Sequence, residues 1–170
     1  MRRWNGWGDD SIVYPLHDSA AHYLQTLIGP GNPVPDIPVE TCLANIPSSR
    51  LPDHPGLTTQ PLDRLLHARG QSMPDWLAIR NGLDLTFPDG VAYPESPAQV
   101  RELVAWAYRH QVCLIPYGGG TSVVGHINPL ADGRPVLTVD LSRLNLLLHL
   151  DATSLLATFG AGIPGPDLEA

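Results

Sequence analysis

A chain of 170 residues with 43% hydrophobic and 16% charged residues can bury one sizeable core, so one domain, or one and a piece, is expected. The net charge of −7 leaves no basic stripe for a nucleic-acid backbone, and an all-arginine cation set excludes a Schiff-base lysine within these residues. Cys42 and Cys113 have no metal-ligand spacing and Cys113 lies in an apolar run, so neither a metal site nor a disulfide framework is expected.

Residues 1–56 are dense in Pro and Gly, which excludes long helices. One short helix is predicted around residues 19–28, with Ala20, Tyr23, Leu24 and Leu27 as its apolar stripe. This segment is expected to wrap a larger body, with Trp4 and Trp7 anchored in apolar clefts. The seven histidines are dispersed, and the one near pair, His17 and His22, is spaced off a common helix face; surface or capping roles are expected for all of them. Arg2 and Arg3 lead into Trp-Asn-Gly-Trp-Gly instead of an apolar signal core, and no run has the length of a membrane span, so a cytoplasmic location is expected.

From Leu62 to Gly82 the pattern is helical, first through Leu65, Leu66 and Ala68, then through Trp76, Leu77 and Ile79 after a Ser72 cap, with Gly70 and Gly82 as stops. A short strand at 91–93 precedes Ser96, Pro97 and Gln99, a capping box with a proline start. The helix that follows is expected to bury Val100, Leu103, Val104 and Ala107 and to end near Arg109 and His110, whose cations suit the negative end of its dipole. A buried strand at 112–115 completes a crossover expected to build a parallel pair, and ligands collect at the carboxyl ends of such strands.

That strand delivers Pro116, Tyr117, Gly118, Gly119, Gly120, Thr121, Ser122, Val123, Val124 and Gly125. Glycines there can turn successive N–H groups inward into a concavity that holds an anion, and no Lys or Arg lies between Gln111 and Gly133. A Walker loop is excluded because the chain has no lysine. The dinucleotide fingerprint fails at Val123, despite Asp140 at a suitable distance downstream, and Gly125, Asn128 and Pro129 interrupt the helix it would need. A glycine-rich turn without a ligand is the remaining alternative. Beyond it, residues 136–139 read as a third strand, 140–144 as a helical turn, and 146–150 with 155–159 as a hairpin around Asp151-Ala152-Thr153. After Gly160-Ala161-Gly162, a helix opens without a stop signal, so the chain is expected to be the amino-terminal part of a longer protein.

Pro-Glu-Ser-Pro before a helix, Pro-Tyr-Gly-Gly-Gly-Thr-Ser-Val after a strand, and Gly160-Ala-Gly162 together resemble the start of the flavin domain of the vanillyl-alcohol-oxidase superfamily, with its PCMH-type FAD-binding fold. With the opening Arg3-Trp4-Asn5-Gly6-Trp7-Gly8, the chain is most similar to the alkyldihydroxyacetonephosphate synthase branch. The resemblance implies an α+β fold, with residues 1–86 as an irregular, then helical, extension and 87–170 as the first α/β subdomain plus the start of the second. It implies that Pro116 to Val123 hold the FAD pyrophosphate, through the N–H groups of Gly118, Gly119 and Gly120 and the hydroxyls of Thr121 and Ser122. Covalently flavinylated branches often carry a histidine right after the glycines; Thr121 stands there, so non-covalent FAD is expected, and His126 comes too late for that role. Arg69 and Arg80 become candidates for orienting carboxylates or a substrate phosphate. The catalytic residues are expected outside this stretch. The implied reaction exchanges acyl for alkyl on an acyl-dihydroxyacetone phosphate, with a lipid-like substrate, peripheral membrane contact and a homodimeric full-length enzyme. An FAD-dependent 2-hydroxy-acid dehydrogenase or oxidase, or a truncated non-catalytic remnant, are the alternatives.

Overall fold

The computed structural model describes residues 2–31, 35–83 and 85–169. In chain order these form α1 (Asp18–Ile28), α2 (Val39–Ala44), β1 (Leu57–Thr58), α3 (Pro61–Leu66), α4 (Met73–Asn81), β2 (Gly90–Ala92), α5 (Pro97–His110), β3 (Cys113–Tyr117), β4 (Val136–Asp140), β5 (Leu147–Asp151), β6 (Leu156–Phe159) and α6 (Gly165–Glu169). No helix among the described residues is long and apolar enough to cross a membrane.

The main sheet has the order β1-β2-β4-β3. The expected crossover is present, but β2 and β3 do not pair with each other. Strand β4 lies between them and pairs in parallel with both, so its five residues are buried while β3 takes an edge. An edge strand tolerates the missing N–H of Pro116, which explains how a proline sits opposite Val139 in the ladder. Strand β1, which no pattern in the sequence announces, adds an antiparallel edge from within the amino-terminal segment.

Helix α5 begins as its sequence requires: Ser96 accepts from the Gln99 N–H, Pro97 occupies the first turn, and Gln99 reaches back to the N–H of Glu95 at 2.6 Å. Its buried face differs from the expected stripe. Leu103 and Ala107 are buried as expected, but Trp106 joins them and Val104 is half exposed. These side chains meet Ala92, Val112, Leu137 and Val139 in one cluster, in which burying Leu103 alone is worth about 1.5–3 kcal/mol. The helix stops at Gln111, in the left-handed region at φ 55°.

The opposite sheet face carries Ile115, Tyr117 and Val136, which pack with Ile127 from the segment after the glycine loop. A third cluster, Cys42, Leu65 and Ile79 with Trp4, Ile37 and Val39 against it, ties the amino-terminal helices together. Trp4 is therefore an anchor as expected, whereas Trp7 is 58% exposed. Helix α1 forms where predicted, but Tyr23, Leu24 and Leu27 are exposed and no residue of it is buried. Ser72 caps α4 and Gly82 closes it at φ 63°. Gly70 has another role: α3 has already ended at Leu66, and a Cβ on Gly70 would overlap the Ser122 carbonyl oxygen.

Candidate functional site

Tyr117 and Asp140 are opposite each other at the carboxyl ends of β3 and β4, and the chain leaves Tyr117 straight into the glycines. The three glycines differ in what the protein itself demands of them. Gly120 has φ 69°, and a Cβ on it would overlap the Tyr117 hydroxyl and the Arg2 guanidinium, so the fold requires glycine there. A Cβ added to Gly118 would meet no atom within 4 Å, and one added to Gly119 would meet only the Thr121 methyl carbon, at 3.5 Å; neither glycine has positive φ. Both are exposed, and among the described residues the N–H groups of Gly118, Gly119 and Gly120 make no turn or loop hydrogen bond. The chain thus offers unpaired N–H donors beside open space that side chains would fill, which fits a closely approaching anion such as a diphosphate.

The platform under this loop comes from the amino-terminal half. The Gln71 N–H donates to the Ser122 carbonyl at 2.6 Å, and the Gly70 N–H to Asn128 Oδ1 at 3.0 Å. Asn128 Nδ2 in turn donates to Asp75 Oδ1 at 2.7 Å, and Ser72 Oγ to Asp75 Oδ2 at 2.6 Å. Beneath Tyr117 lies His67, 3% exposed, with ring centroids 4.4 Å apart. Its Nδ1 is 2.7 Å from the Asp63 carbonyl oxygen and its Nε2 2.9 Å from Asp140 Oδ2, so both ring nitrogens stand within hydrogen-bond distance of an oxygen. Burial pushes the Asp140 carboxyl up, but hydrogen bonds from His67 and Ser142 outweigh it and hold the group below the usual carboxylate range. Asp140 is therefore the partner of a buried histidine, which removes the ribose role that a dinucleotide fingerprint would have given it.

The other expected residues fall as follows. His67 is not a surface residue: it is the C-cap of α3, its backbone N–H donating to the Arg64 carbonyl at 3.3 Å, while its side chain is buried against Asp140. The Tyr117 side chain is 1% exposed and faces the platform, its hydroxyl donating to the Leu66 carbonyl at 3.2 Å and accepting from Arg2. Ser122 is engaged through both its carbonyl and its hydroxyl, the latter 3.2 Å from His126 Nδ1. Pro116, Thr121 and Val123 are exposed at the loop surface. The loop has no cation of its own, yet one reaches it, because residues 2–9 fold back through an Arg2–Asp9 bridge and bring Arg2 to Tyr117 and Gly120. Arg69 lies 3.9 Å from Asp75, while Arg80 pairs with Asp36 at 3.0 Å and is half exposed. Arg2, His67, Gln71 and Asn128 carry no local sequence signal; the glycine before Gln71, which ends no helix, is the nearest thing to one.

Residues 88–170 match the family described as FAD binding domain. Over that stretch the chain belongs to the FAD binding domain family. It is 36% identical over 119 residues to alkyldihydroxyacetonephosphate synthase of Dictyostelium discoideum, an alignment covering 70% of this chain and 19% of that protein. It is 32% identical over 82 residues to a mitochondrial D-lactate dehydrogenase [cytochrome] of Kluyveromyces lactis, covering 48% of this chain and 14% of the relative. A solved alkyldihydroxyacetonephosphate synthase structure superimposes with a TM-score of 0.83 at 26% identity, covering 99% of this chain and 36% of the other. The chain thus spans about a fifth of the Dictyostelium protein and about a third of the solved one. The α+β fold is that of a PCMH-type FAD-binding domain, and FAD is the cofactor. The chain is FAD-binding sequence that resembles part of alkyldihydroxyacetonephosphate synthase.

Proposed function

We propose that residues 116–123 hold the FAD diphosphate, without a covalent link, in an enzyme of the alkyldihydroxyacetonephosphate synthase type. The observation that carries this is the open space at Gly118 and Gly119 beside unpaired N–H groups, where the protein has no use of its own for glycine. A flavin supplies the bond-making and redox capacity; this chain's residues bind and orient it. Gly118, Gly119 and Gly120 would donate backbone N–H groups and Thr121 its hydroxyl, on a platform fixed by Gln71, Asn128 and Asp75.

The reaction proposed for the whole protein replaces the acyloxy group of an acyl-dihydroxyacetone phosphate by the alkoxy group of a fatty alcohol and releases the fatty acid. The likeness to the synthases supports it. The D-lactate dehydrogenase relative supports a second reading, oxidation of a 2-hydroxy acid, and substrate assays on the full-length protein separate the two. A homodimer and peripheral membrane contact belong to the synthase proposal, and two unpaired cysteines support a cytoplasmic location.

Gly119→Asp places a carboxylate where two phosphates are to lie, and FAD affinity, read by fluorescence quenching, is expected to fall roughly a hundredfold with unchanged circular dichroism. Unchanged affinity would sink the cradle. Acid precipitation of the flavin-loaded protein is expected to leave all flavin in the supernatant; colour retained in the pellet would show a covalent link.

A further inference from the structure

We propose that Arg2 supplies the positive charge of the diphosphate site, in a cavity that the amino-terminal segment closes over the glycine loop. The inference rests on reading that loop as the cofactor cradle. The cavity holds about 210 Å³ and is lined by Arg2, residues 6–8, Gln71, Gly119 and Thr121. Sites that enclose a whole ligand run to roughly 300–1,000 Å³, so this one suits a phosphate-sized group and not a flavin ring. Its floor is the same Gly119 and Thr121 that the loop presents.

Arg2 is fixed and yet under-used. Its guanidinium carbon lies 5.2 Å from the centre of the Tyr117 ring, and Nη2 donates to the Tyr117 hydroxyl, which is itself tied to the Leu66 carbonyl. Among the described residues, six arginines stand within 4 Å of an Asp or Glu, whereas Arg2, like Arg64, Arg101 and Arg109, is in no ion pair with a carboxylate, and of these four Arg2 alone lines the cavity at the loop. A guanidinium has five N–H donors, and one hydroxyl leaves most of them for a ligand with several acceptor oxygens. Gln71 adds a second oriented donor. Trp76 Nε1 donates to Gln71 Oε1 at 2.7 Å, which leaves the amide's NH₂ end available to the cavity. A planar cation, an amide donor and exposed backbone N–H groups around one small space are chemistry for an anionic, oxygen-rich group, which the sequence pattern of the loop alone lacks.

The test titrates the apo full-length chain with FAD, riboflavin and ADP, comparing wild type with Arg2→Gln, Arg2→Lys and Gly119→Asp. Arg2→Gln is expected to weaken FAD and ADP about ten- to a hundredfold and to leave riboflavin, which has no phosphate, unchanged. Arg2→Lys should recover part of the loss, since it keeps the charge without the planar fork. An equal loss of FAD and riboflavin in Arg2→Gln would show that Arg2 only props the fold and would overturn the proposal. Wild-type FAD and ADP affinity in Arg2→Gln, with binding lost in Gly119→Asp, would overturn it alone. Wild-type affinity in Gly119→Asp, or no ADP binding to the wild type, would remove the cradle and this inference together.

Discussion

The glycine loop and the β5–β6 hairpin both follow apolar strands, yet the protein treats them oppositely. The loop is braced from behind by polar contacts at every step: Gln71 to Ser122, Gly70 to Asn128, Asn128 to Asp75, and His67 between Asp63 and Asp140. The hairpin has the backbone ladder and an Asp151 turn capped by Thr153 and Ser154, but Leu146, Leu147, Leu148, Leu150, Leu155 and Leu156 are all more than half exposed. Leucines pointing to both faces are the composition of a strand covered on both sides. A surface meant for a charged ligand is held rigid by buried polar groups whose hydrogen bonds are made within the protein, whereas a surface rich in leucine gains stability only from what lies over it.

The largest effect separating the two regions is expected at the buried pair. Asp140→Leu leaves a buried His67 ring nitrogen without its hydrogen-bond partner and should cost about 1–3 kcal/mol of unfolding free energy in denaturant titration, while His67→Leu/Asp140→Leu should cost less than the sum of the single changes. If Asp140→Leu cost less than about 1 kcal/mol, the platform would not be what holds the loop.

At the other end of the scale, Leu148→Ser with Leu155→Ser should change stability by no more than about 0.5 kcal/mol per site, because both side chains are already largely in water. The change should show instead in association: sedimentation of the wild-type chain is expected to depend on concentration, and that of the double variant to do so less. A wild-type chain that stays monodisperse at all concentrations would mean that the hairpin's leucines are less available than their exposure indicates.

The parts legible in the sequence are those whose cause is local. Ser96, Pro97 and Gln99 announce α5, Ser72 and Gly82 bound α4, and Gly118 to Gly120 mark the loop, because each acts on backbone within a few residues. What is illegible depends on distant partners. The place of β4 between β2 and β3 is set by its parallel pairing with both and not by its own composition, since it contains Thr138 and Asp140, and Trp106 displaces Val104 because the sheet lies on that side of the helix. His67 reads as one of seven scattered histidines until Asp140, 73 residues on, closes the pair. Arg2 reads as a terminal charge until the fold returns it to Tyr117, 115 residues away. Gly70 shows the same limit: the sequence marks a glycine at that position, but its reason is the Ser122 carbonyl, not the end of a helix.

The most direct measurement is a paired one on Gly118→Ala, thermal unfolding and FAD titration of the same preparation. Nothing in the protein opposes a methyl group at Gly118, so the unfolding midpoint should hold or rise slightly, by the few tenths to about 1 kcal/mol typical of a compatible Gly-to-Ala change. If the space belongs to the FAD diphosphate, affinity for FAD should nevertheless fall about tenfold or more. A variant as stable as the wild type that also binds FAD as tightly would contradict the claim that these glycines are kept open for the cofactor.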